Sequence, residues 1–349
     1  MPRVADLFER RRPGVERAPP GMAEHFHTRF LNGPTYDPEI PSLVGVATDG
    51  TIIGFIGASV VPMLLDGRLV RAVATGPLIT AQDTRAVSVF LVKALLAGPQ
   101  EFTFSDRHTV EAHRLLVRVG ARPMRPRGVW WRVALRPLSY RLQSVRRTVL
   151  KSTIASALAV PAALVDRFMR PTRLMSLSGR SARTQPLSAD VVVGALPELT
   201  RANRLRPVYD AAFWDWRMQE LGAAEVLGRP HALAVFDGDT LLGWFVYMVA
   251  RRGASRVLQV CSRPGYEDVV LRELVCDANR HGVAALYGRL EPEFDLALRG
   301  LRPSLLYDSC LLVHSRNPAV FEAFATESAM VTPLDGEAWL SATFRGGFV

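Results

Sequence analysis

The chain has 349 residues, 48% of them hydrophobic, and a formal net charge of +10. That apolar content is ample for packed cores and sets intrinsic disorder aside, and the length makes two domains the natural expectation. No uninterrupted apolar stretch reaches the ~20 residues that cross a bilayer, so a helical membrane protein is not expected.

In chain order, residues 4–10 read as a short helix, followed by breakers at Arg10-Arg11-Arg12-Pro13-Gly14 and Pro19-Pro20-Gly21. The N-terminal stretch carries early acids and no apolar core, so no secretory signal is expected. Three consecutive strands follow, Ser42–Thr48, Ile52–Pro62 and Leu69–Ile79, joined by Asp49-Gly50 and Asp66-Gly67 turns into an antiparallel meander. Thr84–Leu96 is apolar at helical spacing and stops at Gly98-Pro99. Glu101–Ser105 reads as a strand, Thr109–Val119 as a helix capped by Ser105 or Asp106 and ended by Gly120, and Val129–Leu135 as a strand.

Residues 141–183 hold nine bases against one acid, Asp166, and so carry most of the net charge. All but two of the 43 basic residues are arginines, the exceptions being Lys93 and Lys151, which points to a compositional bias. Within this connector Leu150–Val165 is helix-like, and Thr172–Pro186 reads as a linker. The later half shows an aromatic-rich helix over Asp210–Glu220 and strands Ala232–Phe236, Leu241–Ala250 and Arg256–Cys261. A helix at Asp268–Arg280, a strand at Ala284–Arg289, a helical turn at Glu293–Arg299 and a last strand at Ser309–His314 complete it.

One pattern occurs twice. Val46-Ala47-Thr48-Asp49-Gly50-Thr51-Ile52-Ile53-Gly54-Phe55 is matched by Val235-Phe236-Asp237-Gly238-Asp239-Thr240-Leu241-Leu242-Gly243-Trp244. Each is a strand, an Asp-Gly turn that needs positive φ, and a second strand with a glycine at nearly the same offset. The repeat suggests a duplicated unit. Three domain segments are expected: 1–140, a basic helical linker 141–185, and 186–349.

The βββ-α-β-α-β order, the strand Arg71–Ile79 leading into Arg85-Ala86-Val87-Ser88-Val89, and the later Ala112–Ala121 helix end resemble the GNAT acyltransferase family, written twice. The resemblance is best over 42–135. It implies an α+β fold of two GNAT-like domains, each a mixed, mostly antiparallel sheet flanked by helices, with acyl-CoA bound where a central strand ends and a helix begins. There the helix N-terminus faces the pyrophosphate.

Carried over residue by residue, the resemblance implies a donor site at Leu78, Ile79, Thr80, Arg85, Ala86, Val87, Ser88, Val89 and Thr109. Ala86 and Ser88 stand where the family has glycines, Asp83 where it has Arg or Gln, and Leu116 where many members have a tyrosine. No Glu or Asp lies on Arg71–Ile79, so Asp106 and His108, with His113 nearby, are the candidates for a base. In the second copy Arg263-Pro264-Gly265-Tyr266-Glu267-Asp268 replaces the phosphate loop, and its acids would repel a pyrophosphate. That half is expected not to bind CoA in the usual way.

Function is then expected to be transfer of an acyl group, acetyl from acetyl-CoA, to a primary amine on a small molecule or peptide. The alternative is a non-catalytic GNAT-like protein that binds a metabolite or partner. Nucleic acid is not expected as a partner, and a membrane-surface role for 146–170 is the less favoured reading beside a packed connector. Tyr209, Phe213, Trp214 and Trp216 suit either an acceptor pocket or helix core, and Tyr287 and Glu291 either a site or packing. Cys261, Cys276 and Cys310 form no C-x-x-C, and neither Cys276/His281 nor Cys310/His314 has a second pair of ligands. Reduced thiols, no metal and a cytoplasmic location are expected.

Overall fold

A computed structural model describes residues 2–10, 22–81, 84–148, 182–223, 227–250 and 253–337. The contacts divide the chain into two compact units. One comprises Met1–Pro126, Thr200–Glu220 and Ser309–Val349, the other Arg127–Leu199 and Leu221–Asp308. The units are interleaved, so they do not part at the contiguous boundaries expected at 140 and 186. The basic apolar segment expected over 150–165, and with it most of 146–170, lies outside the described residues.

The first unit begins with α1 (Pro2–Arg10), α2 (Met22–His27) and a π-helical turn, Thr28–Asn32. Then come β1 (Leu43–Val46), β2 (Ile52–Leu65) and β3 (Arg68–Thr80), the expected meander with longer second and third strands. Asp66 and Gly67 both have positive φ, 51° and 81°, which is why an Asp-Gly pair closes this hairpin. α3 (Arg85–Leu96), β4 (Phe102–Ser105), α4 (Val110–Arg118) and a short β5 (Arg122–Met124) follow. Thr109, not Ser105 or Asp106, caps α4: its hydroxyl accepts the Ala112 N–H at 3.2 Å.

The strand expected at Val129–Leu135 exists as β6 (Val129–Ala134) but belongs to the second unit, beside α5 (Pro137–Thr148), β7 (Arg183–Pro186) and α6 (Ala189–Leu199). β8 (Leu205–Pro207) returns to the first unit and is followed by α7 (Ala211–Ala223). β9 (Arg229–Asp237), β10 (Thr240–Val249), β11 (Ala254–Ser262), α8 (Glu267–Arg280), β12 (Ala285–Arg289), α9 (Asp295–Gly300) and β13 (Ser304–Tyr307) build the second unit. β14 (Leu311–Ser315) and α10 (Pro318–Ala325) close the first.

The first sheet runs β1-β2-β3-β4-β14-β5, with β8 on β2, and the second runs β13-β6-β12-β11-β10-β9-β7. Written from the other end, the second has the same plan as the first. Each has one parallel pair, β3–β4 and β11–β12, and every other pair is antiparallel. In this plan β6 and β14 are the matching last strands of the two repeats, and each is built into the sheet of the other repeat. Among the described residues, no helix is long and apolar enough to cross a membrane.

Strand periodicity explains the first unit's core. Ala72 and Ala74 pack with Phe102, Phe104, Leu311 and the α10 residues Val320 and Phe324 on one face. Val73 and Leu312, between them in sequence, face Leu91, Leu95 and Leu116 of α3 and α4 on the other. Both faces are covered, so these strands read as continuous apolar runs. In the second unit α8 lays Val270, Leu274 and Ala278 against Phe245, Tyr247 and Trp131.

Candidate functional site

β3 and β4 pair only from Ala72–Phe102 to Ala74–Phe104. β3 continues to Thr80, so among the described residues no strand pairs with its β4-facing edge over Gly76–Thr80. Backbone groups on that edge have no strand partner among the described residues. The opening is held by a bulge: between Ile56↔Leu78 and Ala58↔Thr75 the register shifts, setting Gly57 against Gly76-Pro77. The Phe30 ring fills the bulge. A Cβ on Gly57 would lie 2.6 Å from that ring, and one on Gly76 2.8 Å from it. Thr75 Oγ1 donates to Phe104 O at 3.3 Å, the last tie between the two strands.

From Thr80 the chain turns into α3. Thr84 Oγ1 donates to Ala81 O at 2.7 Å, and Thr84 stands at the N-cap without a side-chain cap bond. The first turn of α3 carries no acid, and Arg85 and Ala86 are exposed. Their amides precede the helical hydrogen-bond ladder and add to the positive end of the helix dipole. The Val87 amide is used, donating to Thr84 O at 3.0 Å, and its side chain faces the sheet, where only glycine fits at 45 and 54. Ser88 Oγ lies 3.1 Å from Thr80 Oγ1, tying the strand end to the helix start. Val89 is half-buried one residue on. Leu78, Ile79, Thr80, Arg85 and Ala86 thus meet around one strand end. Thr109, the cap of α4, sits beyond β4. Gln82 and Asp83 lie outside the described residues.

The matching junction of the second unit is chemically different. Gly265 N–H donates to both carboxylate oxygens of Glu267, at 3.1 and 3.0 Å, and Asp268 follows in the first turn of α8. The protein's own carboxylate takes the place of an anion there.

Of the candidate bases, Asp106 is buried and its Oδ1 accepts the Glu337 amide at 3.0 Å. A Cβ on Gly336 would lie 2.0 Å from Asp106 Oδ2, so only glycine lets the chain pass the carboxylate here. His108 lies against His113, with Nε2 3.1 Å from His113 Nδ1. Burial, with His113 beside it, pushes the His108 imidazole down to about 4, so it is neutral near pH 7.

The structure also contains a buried charged network that the sequence reading missed. Arg29 is fully buried and forms a two-pronged pair with Glu337, with Nε at 3.0 Å from Oε2, while Glu220 Oε2 lies 3.6 Å from its Nη1. Tyr209 donates to Asp335, whose other oxygen accepts from Thr332 N and Oγ1 at 2.7 Å each. The aromatic residues offered as an acceptor pocket, Tyr209, Phe213, Trp214 and Trp216, are buried core. In the second unit Tyr287 stacks on Trp130 at 4.9 Å, and Glu291 is paired with Arg127 and Arg289. Both of those residues are thereby occupied structurally.

No protein-family model matches the chain, and no curated protein sequence matches it. Solved structures share its fold. Saccharomyces cerevisiae N-myristoyltransferase with bound myristoyl-CoA is similar over 90% of this chain and 76% of that one, at 10% identity and a TM-score of 0.52. A GCN5-related N-acetyltransferase from Kribbella flavida is similar over 90% and 69%, at 14% identity and a TM-score of 0.53. One from Anabaena variabilis is similar over 87% and 69%, at 11% identity and a TM-score of 0.54. The fold is therefore α+β, two GNAT-like units in tandem, as the repeat implied.

Proposed function

We propose that the chain is an acyl-CoA-dependent N-acyltransferase whose first unit binds the donor between β3 and β4 and at the start of α3. One contrast supports this most: the first turn of α3 holds no acid and its Arg85 and Ala86 are exposed, whereas at the matching start of α8 the Glu267 carboxylate takes the Gly265 amide. The structural neighbours, a myristoyltransferase with bound myristoyl-CoA and N-acetyltransferases, support an acyl-CoA donor. Acetyl-CoA is the donor we assign, and a primary amine of a small molecule or peptide the acceptor, in the cytoplasm.

The acceptor nitrogen, unprotonated, attacks the thioester carbonyl carbon. Negative charge builds on the carbonyl oxygen, and backbone N–H groups along Leu78–Thr80 stabilise it. The tetrahedral species collapses, the C–S bond breaks, and CoA leaves as thiolate. The nitrogen's proton passes to solvent, because the His108 imidazole, held at about 4, is too weak a base to take it near pH 7. Arg85, Ala86, Ser88 and Val89 bind the pyrophosphate through the helix start. Positioning carries most of this reaction, which is why it proceeds without a carboxylate on β3.

Calorimetric titration of the purified protein with acetyl-CoA and longer acyl-CoAs tests the reading. Micromolar binding is expected, and Ser88→Arg, which sets a bulky side chain into the turn in place of the Thr80–Ser88 contact, should abolish it while circular dichroism shows the protein still folded. No binding to any acyl-CoA would favour the non-catalytic GNAT-like binding protein, and binding that ignores Ser88→Arg would move the donor site away from the start of α3.

A further inference from the structure

We propose that His108, His113 and Cys310 form a binding site for a thiophilic divalent cation of the zinc type. The proposal is independent of the acyltransferase reading. All three residues belong to the first unit. His108 lies in the loop between β4 and α4, His113 in the first part of α4, and Cys310 just before β14. One ligand atom from each lies within 4.8 Å of the other two.

The spacing suits a tetrahedral ion. Zinc bonds of ~2.0–2.1 Å to nitrogen and ~2.3 Å to sulfur set N···N edges near 3.4 Å and N···S edges near 3.6 Å. His108 Nε2 and His113 Nδ1 are 3.1 Å apart, so a few tenths of an ångström of opening would admit the ion. The surroundings fit as well. Ser105 Oγ, in a buried residue, lies 3.4 Å from His108 Nδ1, and its own proton goes to Arg107 O at 3.4 Å. The serine oxygen therefore accepts Nδ1–H, which leaves the Nε2 lone pair facing the site. Ser309 Oγ is 3.4 Å from the same Nε2, beside a fourth position open to the hydroxyl or to water. Cys310 is 5% exposed while both histidines are half-buried, so the site is sheltered and still reachable. Two imidazoles and a thiol, with no carboxylate, select zinc or cobalt over magnesium or calcium.

Binding balances simply. His113 shifts its proton from Nδ1 to Nε2, both imidazoles bind neutral, and the Cys310 thiol releases one proton to solvent as the metal–sulfur bond forms.

Along the sequence only the near neighbours Cys276/His281 and Cys310/His314 stand out as Cys–His pairs, whereas His108 and His113 stand about 200 residues before Cys310. The topology brings them together: β14 pairs with β4 at Leu312↔Ser105, and the same register carried on sets Cys310 level with Arg107. The other comparable cluster, His231, Asp277 and His281 in the second unit, is weaker. Asp277 there already accepts from Tyr247 at 2.7 Å and from the Arg280 guanidinium at 3.1 Å.

The test is titration of the full-length, chelator-stripped protein with Co²⁺, followed by absorbance and then by zinc competition. One equivalent should give visible bands of a tetrahedral site and a near-ultraviolet thiolate-to-cobalt band, both bleached by Zn²⁺. Cys310→Ser should remove the thiolate band and weaken binding at least tenfold. Ser105→Ala should weaken it about tenfold with the band retained. His281→Ala should change nothing. Should Cys310→Ser fail to fold by circular dichroism, His113→Gln supplies the same reading through loss of the visible bands. Absence of stoichiometric cobalt in the wild type, a thiolate band that survives Cys310→Ser, or loss of binding in His281→Ala would overturn the proposal.

Discussion

Adding one methyl group at Gly57 should damage the first unit more than most surface changes could. The new Cβ would lie 2.6, 2.7 and 3.2 Å from Phe30 Cε1, Cζ and Cδ1. Ordinary carbon contacts begin near 3.5 Å, so the ring would have to withdraw by almost an ångström. It has little room, being fully buried with the rings of Phe26 and Phe55 at 5.7 and 5.6 Å. Overpacking of this kind costs about 1–3 kcal/mol, and the rigid surroundings place Gly57→Ala near the upper end, at ~3 kcal/mol. Phe30→Leu withdraws the offending atoms and should cost less in the Gly57→Ala background than in the wild type, with a coupling of at least ~1 kcal/mol. Urea unfolding of the four proteins of the cycle measures this through the midpoint at constant slope. A Gly57→Ala protein within ~0.5 kcal/mol of wild type, or an additive cycle, would refute the account of the bulge.

Three further outcomes follow from the same unit. Glu337→Gln leaves the fully buried Arg29 without its two-pronged partner and should cost about 3–5 kcal/mol in urea unfolding. Asp106→Asn keeps an oxygen for the Glu337 amide, so kcat/KM for acyl transfer should change by less than ~10-fold; a drop of ~100-fold or more would restore Asp106 as the base. His25, buried and close to Arg29, is held down to about 4 from 6.5. The unfolded chain takes up the proton first, so this contribution is whole above pH 6.5 and fades as pH falls toward 4, by about 2 kcal/mol at pH 5. His25→Asn should flatten that part of the stability profile, measured by urea midpoints between pH 7 and 5.

Local chemistry was legible in the sequence, and distant pairing was not. The Asp-Gly turns were visible because positive φ leaves a compositional mark, and Gly50, Gly67 and Gly238 carry φ of 81°, 81° and 55°. α3, α8 and the two central hairpins followed from apolar spacing. α6 was missed, since Pro197 lies inside it, and so was β5, three residues long. Nothing near Val129–Ala134 or Leu311–Ser315 says that these strands pair with the other repeat, because either partner sheet would bury the same side chains. In the proposed donor site, the end of β3 at Thr80 and the start of α3 at Arg85 were legible from the strand-to-helix switch, while the choice of Leu78–Thr80 and Arg85–Val89 came from the family resemblance. The occupation of Asp106 by a backbone amide, and the burial of Arg29 against Glu337, depend on residues more than 200 positions away and leave no local trace.

The exchanged last strands bear on how the protein is made. β14 stands between β4 and β5, so those two strands await a partner that emerges from the ribosome roughly 190 residues later, about 10–40 s at usual elongation rates. Until then the nascent first unit has two bare strand edges and lacks one layer of its core, the state in which chains mispair or enlist chaperones. Gene fragments cut at the middle of the connector would each hold a last strand that belongs to the other. Co-expressed, such fragments have a reason to find one another that separately synthesised domains lack.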